Sequence, residues 1–301
     1  MSKILVIGDA ILDIDIFVEQ SVYNENATGG HYEEIKRFDM LGGAANVAHI
    51  LSLLGNDVSF VFVTDNHNGK TIESLCRNKN IIPIGINKYT PQSDNRSVLA
   101  FKRVHTNPHE HILFIEKYDT PIHGNVIEDT LNRIVSPMAG GYDACVVVDM
   151  GIGMFRCMKN IIKTMNDISN VIPLIVSPEQ HAGNPNVWRN VNAHSLVMSD
   201  QEAEQYKNNY NGLSNVVITS SSGASVRNAG EAVDRFIFGS TLEHAQTIGA
   251  GDSFISAYTT SICMGSSVFG AAKNGVCFAH EYVRRPRQEF YSRDWSTFVD
   301  D

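Results

Sequence analysis

Short runs of consecutive apolar residues alternate with helical patterns along this chain, and this alternation constrains the fold more than any single motif. We expect the runs to be strands, at residues 3–8, 58–63, 144–149, 171–176, 195–198 and 216–219. Strands that are apolar without a period of two are buried on both faces, which is typical of a parallel sheet. The alternation therefore predicts an α/β fold with helices on both sides of a mostly parallel central sheet.

Two β-rich segments interrupt this alternation. The first, at about residues 14–38, alternates apolar and polar side chains, and the second, at about residues 97–118, has the pattern of a hairpin around a polar loop. We expect both segments to pair into a small separate sheet. The apolar face predicted for this small sheet includes Ile14, Ile16, Val98 and Phe101. A small sheet is poorly stable alone, so pairing with a twin sheet predicts a homodimer.

The composition excludes several classes of protein. The 301 residues, 43% of them hydrophobic, suit one large α/β domain, which we place over residues 1–301. No apolar run approaches the roughly 18–20 residues of a membrane span, and the N-terminus predicts a first strand rather than a signal peptide. The net charge of -9, from 24 Lys+Arg and 33 Asp+Glu, argues against a nucleic-acid partner.

The cysteine pattern favours a cytoplasmic protein. The five cysteines are odd in number and have no C-x-x-C spacing. We therefore expect reduced, mostly buried thiols rather than disulfides or metal ligands.

The stretch Gly249-Ala250-Gly251-Asp252 precedes a helical pattern that ends near Gly265. Glycines let a ligand approach the backbone amides, and a helix start offers free N–H groups and the positive end of a dipole, so this stretch predicts a phosphate site. A carboxylate beside a phosphate site repels the phosphate, so the presence of Asp252 must be explained. The simplest explanation is that Asp252 accepts the proton of an attacking hydroxyl while the amides hold the transferred phosphoryl group. The alternative is an ordinary loop in which Asp252 caps the helix.

Further candidate residues follow the first strand and open the first helix. The first strand is followed by three acids: Asp9, Asp13 and Asp15. Ligands of open α/β sheets bind at the carboxyl ends of strands, although each acid could instead cap a turn. Farther on, Gly42 and Gly43 open a helix of small residues, and Asn46 within it can both donate and accept hydrogen bonds.

Four motifs stand in order along the chain: Gly8-Asp9 with Asp13, Gly42-Gly43-Ala44-Ala45-Asn46, Ser199-x-x-Glu202, and Gly249-Ala250-Gly251-Asp252. In this combination the chain resembles the ribokinase-like (PfkB) carbohydrate kinases over nearly its whole length. Within that family it is most similar to the kinase domain of the heptose-7-phosphate kinase/ADP-heptose synthase enzymes, whose first two motifs match residues 8–13 and 42–48. The resemblance implies a three-layer α/β/α fold with a small β-sheet lid at about residues 14–38 and 97–118.

The resemblance also implies a role for each matching position. Asp252 would be the catalytic base, and Gly249, Ala250 and Gly251 would form the anion hole. ATP and Mg²⁺ would be required, with Glu202 holding the metal through water. The candidate sugar-binding residues are Asp13, Gly42, Gly43, Asn46 and Arg103. The candidate nucleotide-binding residues are Ser199, Thr219, Gly223 and Asn274.

The chain departs from the family pattern at several positions. Gln246 replaces an Asp linked to monovalent-cation binding in some members, and Ser199 replaces an Asn. The loop from Thr219 to Gly223 is one residue shorter than usual. Ser177-Pro178-Glu179 stands where Asp-Pro-Lys often follows the middle strand. These departures leave the potassium requirement, the metal and adenine contacts, and the heptose-phosphate substrate open.

The resemblance implies an ATP-dependent kinase that acts on a sugar or sugar phosphate. A second hypothesis is a catalytically impaired relative that binds sugar or nucleotide as a regulator, which the departures favour and the retained Asp252 opposes. A third, a Rossmann dehydrogenase, is weaker because Gly8 stands alone where Gly-x-Gly-x-x-Gly is needed.

Overall fold

The computed structural model describes residues 1–21, 31–64, 68–87, 99–107, 110–116, 124–135, 138–151, 154–155, 160–178, 186–205, 215–231, 234–240 and 247–299. Its strands are β1 (Lys3–Gly8), β2 (Ala10–Ser21), β3 (His31–Gly43), β4 (Asp57–Thr64), β5 (Ile81–Asn87), β6 (Leu99–Asn107), β7 (Glu110–Glu116), β8 (Ala144–Val148), β9 (Leu174–Ser177), β10 (Ser195–Ser199), β11 (Asn215–Ser220), β12 (Gly223–Arg227) and β13 (Arg235–Phe238). Its helices are α1 (Ala44–Leu53), α2 (Asn68–Arg77), α3 (Gly124–Thr130), α4 (Ile161–Ser169), α5 (Asn186–Arg189), α6 (Asp200–Gln205), α7 (Ala250–Cys263), α8 (Val268–Val283) and α9 (Arg287–Tyr291). None of these helices is long and apolar enough to cross a bilayer.

The central sheet is mostly parallel. Across the described ranges it has nine strands in the order β13-β12-β11-β10-β9-β8-β1-β4-β5. The strands from β11 to β5 pair in parallel, whereas β12 and β13 are added antiparallel at one edge. All six strands predicted from apolar runs are present, and the α/β fold is confirmed.

The two faces of the central sheet pack against different sets of helices. Side chains alternate along β1, so that Ile4 and Val6 join a core with α1, α2, α7 and α8. Leu5 and Ile7 join a second core with α3, α4, α5 and α6. This arrangement confirms three α/β/α layers and explains why β1 is apolar without a period of two.

One strand begins later than the apolar run predicts. The run starts at Val171, but β9 starts at Leu174. The N–H groups of Val171 and Ile172 both donate to the Ile168 carbonyl, at 3.0 and 3.1 Å, and so extend the end of α4. Pro173 follows and has no N–H to give to a neighbouring strand.

The free thiols differ in exposure. Cys76 and Cys145 are buried, Cys263 is partly buried and Cys277 is exposed. Burial raises the pKa of Cys76 to about 12, so its thiol stays protonated. The fifth cysteine, Cys157, lies outside the described residues.

The second sheet has the order β3-β2-β6-β7 in the part of the chain that the structure covers. Strand β2 pairs antiparallel with β3 and parallel with β6, and β6 pairs antiparallel with β7. The predicted small sheet and its hairpin are therefore confirmed. Parts of the expected lid, residues 22–30, 97–98, 108–109 and 117–118, lie outside the described ranges.

The apolar face predicted for the small sheet is wrong for Phe101. Ile14 and Ile16 pack against the core, but the parallel register sets Phe101 opposite Asp13. Directly paired residues point to the same side of a sheet, so Phe101 lies on the other face. The predicted face combined residues 98 and 101, but side chains three positions apart in one strand point to opposite faces. Val98 lies outside the described residues.

The antiparallel edge of the central sheet yields a test of stability. Gly223, which opens β12, has φ 137°, and a Cβ there would lie 1.9 Å from the Ile237 carbonyl oxygen. We expect Gly223→Ala to lower the free energy of unfolding by more than about 1 kcal/mol, measured by urea denaturation.

The control is Gly141→Ala, because a Cβ at Gly141 meets no atom within 4 Å. This change should stay within about 0.5 kcal/mol of the parent. Equal denaturation midpoints for the two variants would contradict the role of Gly223.

Candidate active site

Helix α7 begins directly after a left-handed glycine. Gly249 is the N-cap residue with φ 89°, and a Cβ there would lie 2.4 Å from the Tyr282 hydroxyl oxygen. A Cβ on Gly251 would meet no atom within 4 Å, so the space beside the first turn is open. The N–H of Ala250 donates to the Thr247 carbonyl at 3.0 Å, whereas later N–H groups of a first helical turn have no acceptor within the helix. With the helix dipole, they favour an anion at this end of α7.

Asp252 lies in this first turn and is bound to the first helix of the fold. Its Oδ2 accepts a hydrogen bond of 2.7 Å from Asn46 Nδ2. Burial raises the pKa of Asp252 to about 6; the charge of Asp13 adds to the rise, while the Asn46 hydrogen bond and the charge of Arg287 oppose it. At neutral pH the carboxylate is thus largely ionised, and its proton affinity is higher than that of an ordinary aspartate.

Asp13 is held by two buried arginines. Its Oδ1 accepts from Arg103 at 3.2 Å, and its Oδ2 accepts from Arg287 at 3.0 Å. Arg103 also donates to Asp15 at 3.3 Å. A Cβ on Gly42 would lie 2.8 Å from the Asp13 carboxyl carbon, so the glycine makes room for this carboxylate. The fold therefore brings together Asp13, Gly42, Asn46, Arg103 and Asp252, which come from four separate stretches of the sequence.

Gly43 is required for the backbone conformation at the start of α1. It has φ 56°, and a Cβ there would lie 2.8 Å from the carbonyl oxygen of Asp9. That carbonyl accepts a 3.0 Å hydrogen bond from the N–H of Ala44, which starts α1. The Asp9 carboxylate accepts from the N–H groups of Met150 and Met154, at 3.1 and 2.8 Å, so it fastens β1 to the chain after β8.

A cavity of about 540 Å³ lies on the other side of the α7 N-terminus. Its lining includes four predicted residues in addition to Ala250: Ser199, Thr219, Gly223 and Gly251. One wall is apolar and is formed by Phe254, Val276, Ala279 and Val283. Serine and threonine residues at or just after the ends of β11 and β13 also line the cavity and supply polar groups. A cavity with one apolar wall and a few polar groups is typical of a site for a flat organic ligand.

His280 also lines this cavity and was not singled out from the sequence. Its Nε2 is buried and has no hydrogen-bond partner among the described residues. A buried ring nitrogen without a partner is costly unless a ligand or water supplies one. A histidine within a helical pattern carries no sequence signal of such a role.

Ser199 and Glu202 bind each other at the start of α6. Glu202 Oε2 accepts from the Ser199 N–H at 2.6 Å, and the Glu202 N–H donates to Ser199 Oγ at 3.2 Å. This reciprocal pair is a capping box. Burial raises the pKa of Glu202. In the described ranges no group of three or more His, Cys, Asp or Glu residues is arranged to hold a metal.

The other two candidate nucleotide-binding side chains, Thr219 and Asn274, lie in different places relative to the cavity. The Thr219 hydroxyl donates to the Met198 carbonyl at 3.3 Å. The Asn274 amide donates to Ser261 Oγ at 3.1 Å, between α8 and α7, and Asn274 is absent from the cavity lining. Two of the departures from the family pattern, Gln246 and Glu179, lie outside the described residues.

Sequence reasoning missed the contribution of α9 to the site. Arg287 is 3% exposed and reaches Asp13, and the Tyr291 hydroxyl donates to Asn46 Oδ1 at 2.6 Å. Both residues lie in a short polar segment whose composition is typical of an exposed helix end. The one available signal was the unusual run of arginines before it.

Residues 1–115 match the family model described as pfkB family carbohydrate kinase. The matched range includes Asp13, Gly42, Asn46 and Arg103, whereas Asp252 lies outside it. No match was found among curated protein sequences.

Solved structures share the fold over the whole chain at low identity. Phosphofructokinase-2 from Escherichia coli, in a tetrameric inhibited form, superposes with a TM-score of 0.73 at 15% identity, covering 99% of both chains. The same enzyme in complex with fructose-6-phosphate gives 0.72 at 15% identity, covering 97% of this chain and 99% of the other. Ribokinase from Thermotoga maritima gives 0.69 at 15% identity, covering 100% of both. At such identity the likeness establishes the ribokinase-like fold.

The raised pKa of Asp252 has a consequence for stability. The pKa is about 6 in the folded chain against an ordinary 3.8, so between these values the folded state binds a proton that the unfolded state does not. The associated stabilisation is fully present below the unfolded value and is lost as the pH rises through about 6. Asp252→Asn removes the charge, and we expect its melting temperature relative to the parent to rise between about pH 4 and pH 7.

The control for this titration is Asp167→Asn on the exposed face of α4. It removes the same chemical group from a side chain that lies in solvent, so the two variants differ only in the surroundings of the lost carboxylate. A pH-independent difference between Asp252→Asn and the parent would show that burial of Asp252 does not perturb its carboxylate.

Proposed function

We propose that this protein is an ATP-dependent kinase that transfers a phosphoryl group to a hydroxyl of a sugar or sugar phosphate. The observation that carries the proposal is the position of Asp252. Asp252 lies in the first turn of α7. On one side of it are the open space at Gly251 and the cavity. On the other side are Asp13 and the residues around it, Arg103 and Asn46, which we call the Asp13 cluster. A base in that position lies between the two substrates of a phosphoryl transfer.

The cavity beside α7 fits the nucleotide. Its apolar wall on α7 and α8 suits the nucleobase. Ser199, Thr219 and Gly223 also line the cavity, from β10, β11 and β12 respectively. The open position at Gly251 leaves room for phosphate against the α7 N-terminus. We also propose that His280 Nε2 finds its missing partner on this ligand, and we keep Asn274 as a peripheral candidate.

Mg²⁺ fits this arrangement without a cage of protein ligands. The ion usually keeps several waters and binds one or two carboxylates together with substrate phosphates, and Glu202 beside Ser199 is the carboxylate we propose for it. When bound, the ion would neutralise charge on the phosphates. A potassium requirement is not part of the proposal.

The Asp13 cluster is the proposed sugar site. Asp13, Arg103, Asn46 and the backbone at Gly42 and Gly43 offer acceptors and donors to hydroxyls. The acceptor oxygen attacks the γ-phosphorus, the bond from that phosphorus to the bridging oxygen of ADP breaks, and the hydroxyl proton passes to Asp252. Of the predicted anion-hole amides, that of Ala250 already donates to the Thr247 carbonyl, so we propose the Gly251 amide at the α7 N-terminus as the group that stabilises the developing charge on the phosphoryl oxygens.

Asp252→Asn should lower turnover by about 10²–10⁴-fold, because the base no longer accepts a proton. The assay measures ADP release with a panel that includes ribose, fructose 6-phosphate and heptose 7-phosphate. Binding of an ATP analogue, followed by calorimetry, should be retained. Asp167→Asn serves as the control with unchanged turnover, and near-parental turnover of Asp252→Asn with any substrate in the panel would rule out this base.

The capping box at α6 favours one alternative. Glu202 is occupied by the Ser199 backbone, and this could leave the metal poorly held, as in a catalytically impaired protein that binds sugar or nucleotide as a regulator. The same experiments separate the two. Calorimetric binding without ADP release from the parent protein, with every sugar tested, would establish the regulator.

We further propose a cytoplasmic homodimer formed through the small sheet. Strand β3 is an edge of that sheet, and it carries Ile35, which is 63% exposed, and Tyr32, which is 52% exposed. Pairing of two such edges would cover both apolar side chains and unpaired backbone groups.

Ile35→Lys should convert the dimer to a monomer at micromolar concentration, measured by light scattering. Ile82→Lys is the matched control: Ile82 is also 63% exposed, but it lies on β5 at the edge of the central sheet. A parent protein that is already monomeric, or two variants that behave alike, would contradict the proposed interface.

A further inference from the structure

A chain of hydrogen bonds runs from the last helix to the proposed base. The Tyr291 hydroxyl lies 2.6 Å from Asn46 Oδ1, and Asn46 Nδ2 lies 2.7 Å from Asp252 Oδ2. Both ends of the Asn46 amide are therefore engaged by protein groups. One amide N–H and one lone pair of the amide oxygen remain for a sugar hydroxyl.

The orientation of the Asn46 amide matters because its two ends have opposite polarity. With the oxygen toward Asp252, two acceptors would face each other and the carboxylate would lose its donor. A hydroxyl can donate to the amide oxygen, and the Arg287 guanidinium, which only donates, lies beside the hydroxyls of Tyr282 and Tyr291. A donor next to the Tyr291 oxygen favours sending the hydroxyl proton toward Asn46.

The ring of Tyr291 is itself fixed in place. It stacks on His49 with 4.7 Å between ring centroids and an interplanar angle of 19°. His49 lies in α1 one turn after Asn46 and is buried. Burial lowers the pKa of His49 to about 3, so the ring is neutral at the pH of any assay used below.

We infer that Tyr291 is a positioning residue, which holds the Asn46 amide with its NH₂ toward Asp252 and thereby fixes the carboxylate oxygen that faces the acceptor hydroxyl. The inference rests on the proposed kinase function. Tyr291 is not among the proposed substrate-binding residues. Asn46 joins it to Asp252 by hydrogen bonds, and the Tyr291 hydroxyl also lies beside Arg287 and Tyr282.

The test is Tyr291→Phe, which removes the hydroxyl and keeps the ring that stacks on His49. Without the donor, the Asn46 amide turns freely and Asp252 loses a fixed hydrogen bond to its ionised form. We expect kcat to fall roughly tenfold near pH 6, the acid limb of the kcat profile to move to higher pH, and the sugar KM to stay within about twofold of the parent.

The matched control is Tyr258→Phe. Tyr258 is fully buried in α7, and its hydroxyl lies 2.6 Å from Ser195 Oγ, away from Asn46. It should lose stability as Tyr291→Phe does, yet keep the parental acid limb. Equal profiles for the two variants would overturn the inference, because a merely structural hydroxyl would then explain both.

The groups that face Asp252 with charge or a titratable proton are Arg287 on α9, Tyr282 on α8 and Asp13 on β2. Tyr291→Phe leaves these three residues in place but removes a hydroxyl that lies beside Arg287 and 3.3 Å from the Tyr282 hydroxyl. Tyr282→Phe, which leaves the Asn46 contact intact, should therefore keep the acid limb of the parent, and an equal shift in both variants would overturn the inference. If the parent protein releases no ADP, the kinase proposal fails and a second readout decides. The pH midpoint of the stability difference produced by Asp252→Asn should then be higher in the Tyr291→Phe background, and an unmoved midpoint overturns the inference.

Discussion

The double ion pair of Asp13 holds together the three parts of the chain that build the site. Asp13 is on β2, while its partners Arg103 and Arg287 are on β6 and α9. All three side chains are buried, at 4, 7 and 3% exposure. Removing one partner of a buried ion pair typically costs about 3–5 kcal/mol, since the other charge is left uncompensated. The small sheet and the last helix are thus fastened to the same carboxylate.

The position of α9 follows from this pairing, and the environment of Asp252 follows from α9. The Arg287–Asp13 contact holds α9 beside β2, and the same helix places Tyr291 within hydrogen-bonding distance of Asn46 on α1. The charge of Arg287 in turn opposes the rise that burial causes in the Asp252 pKa. An acid proposed to bind sugar therefore also has a structural role, and the two roles share the same oxygens.

Local patterns were sufficient for the layers of the fold and for the glycine turn before α7. Apolar runs such as β1 require burial on two faces whatever surrounds them, and Gly249 and Gly251 indicate a backbone requirement by themselves. The partners of Asp13 were different. Arg103 was a candidate only through the resemblance, and Arg287 lies 274 residues from Asp13, in a segment without periodicity. Phe101 was assigned to the wrong face for a different reason, because residues 98 and 101 were placed together although a strand alternates faces with a period of two.

The two glycines before Asp252 are subject to different structural constraints. Gly249 is required by the protein itself, because its φ is positive and Tyr282 occupies the space of a side chain. Gly251 is free of both requirements, so its own fold would tolerate a methyl group there. Loss of function at Gly249 would therefore report on helix packing as much as on ligand binding. A side chain introduced at position 251 would therefore report on the space that a bound ligand requires, separately from the conformation that the polypeptide requires.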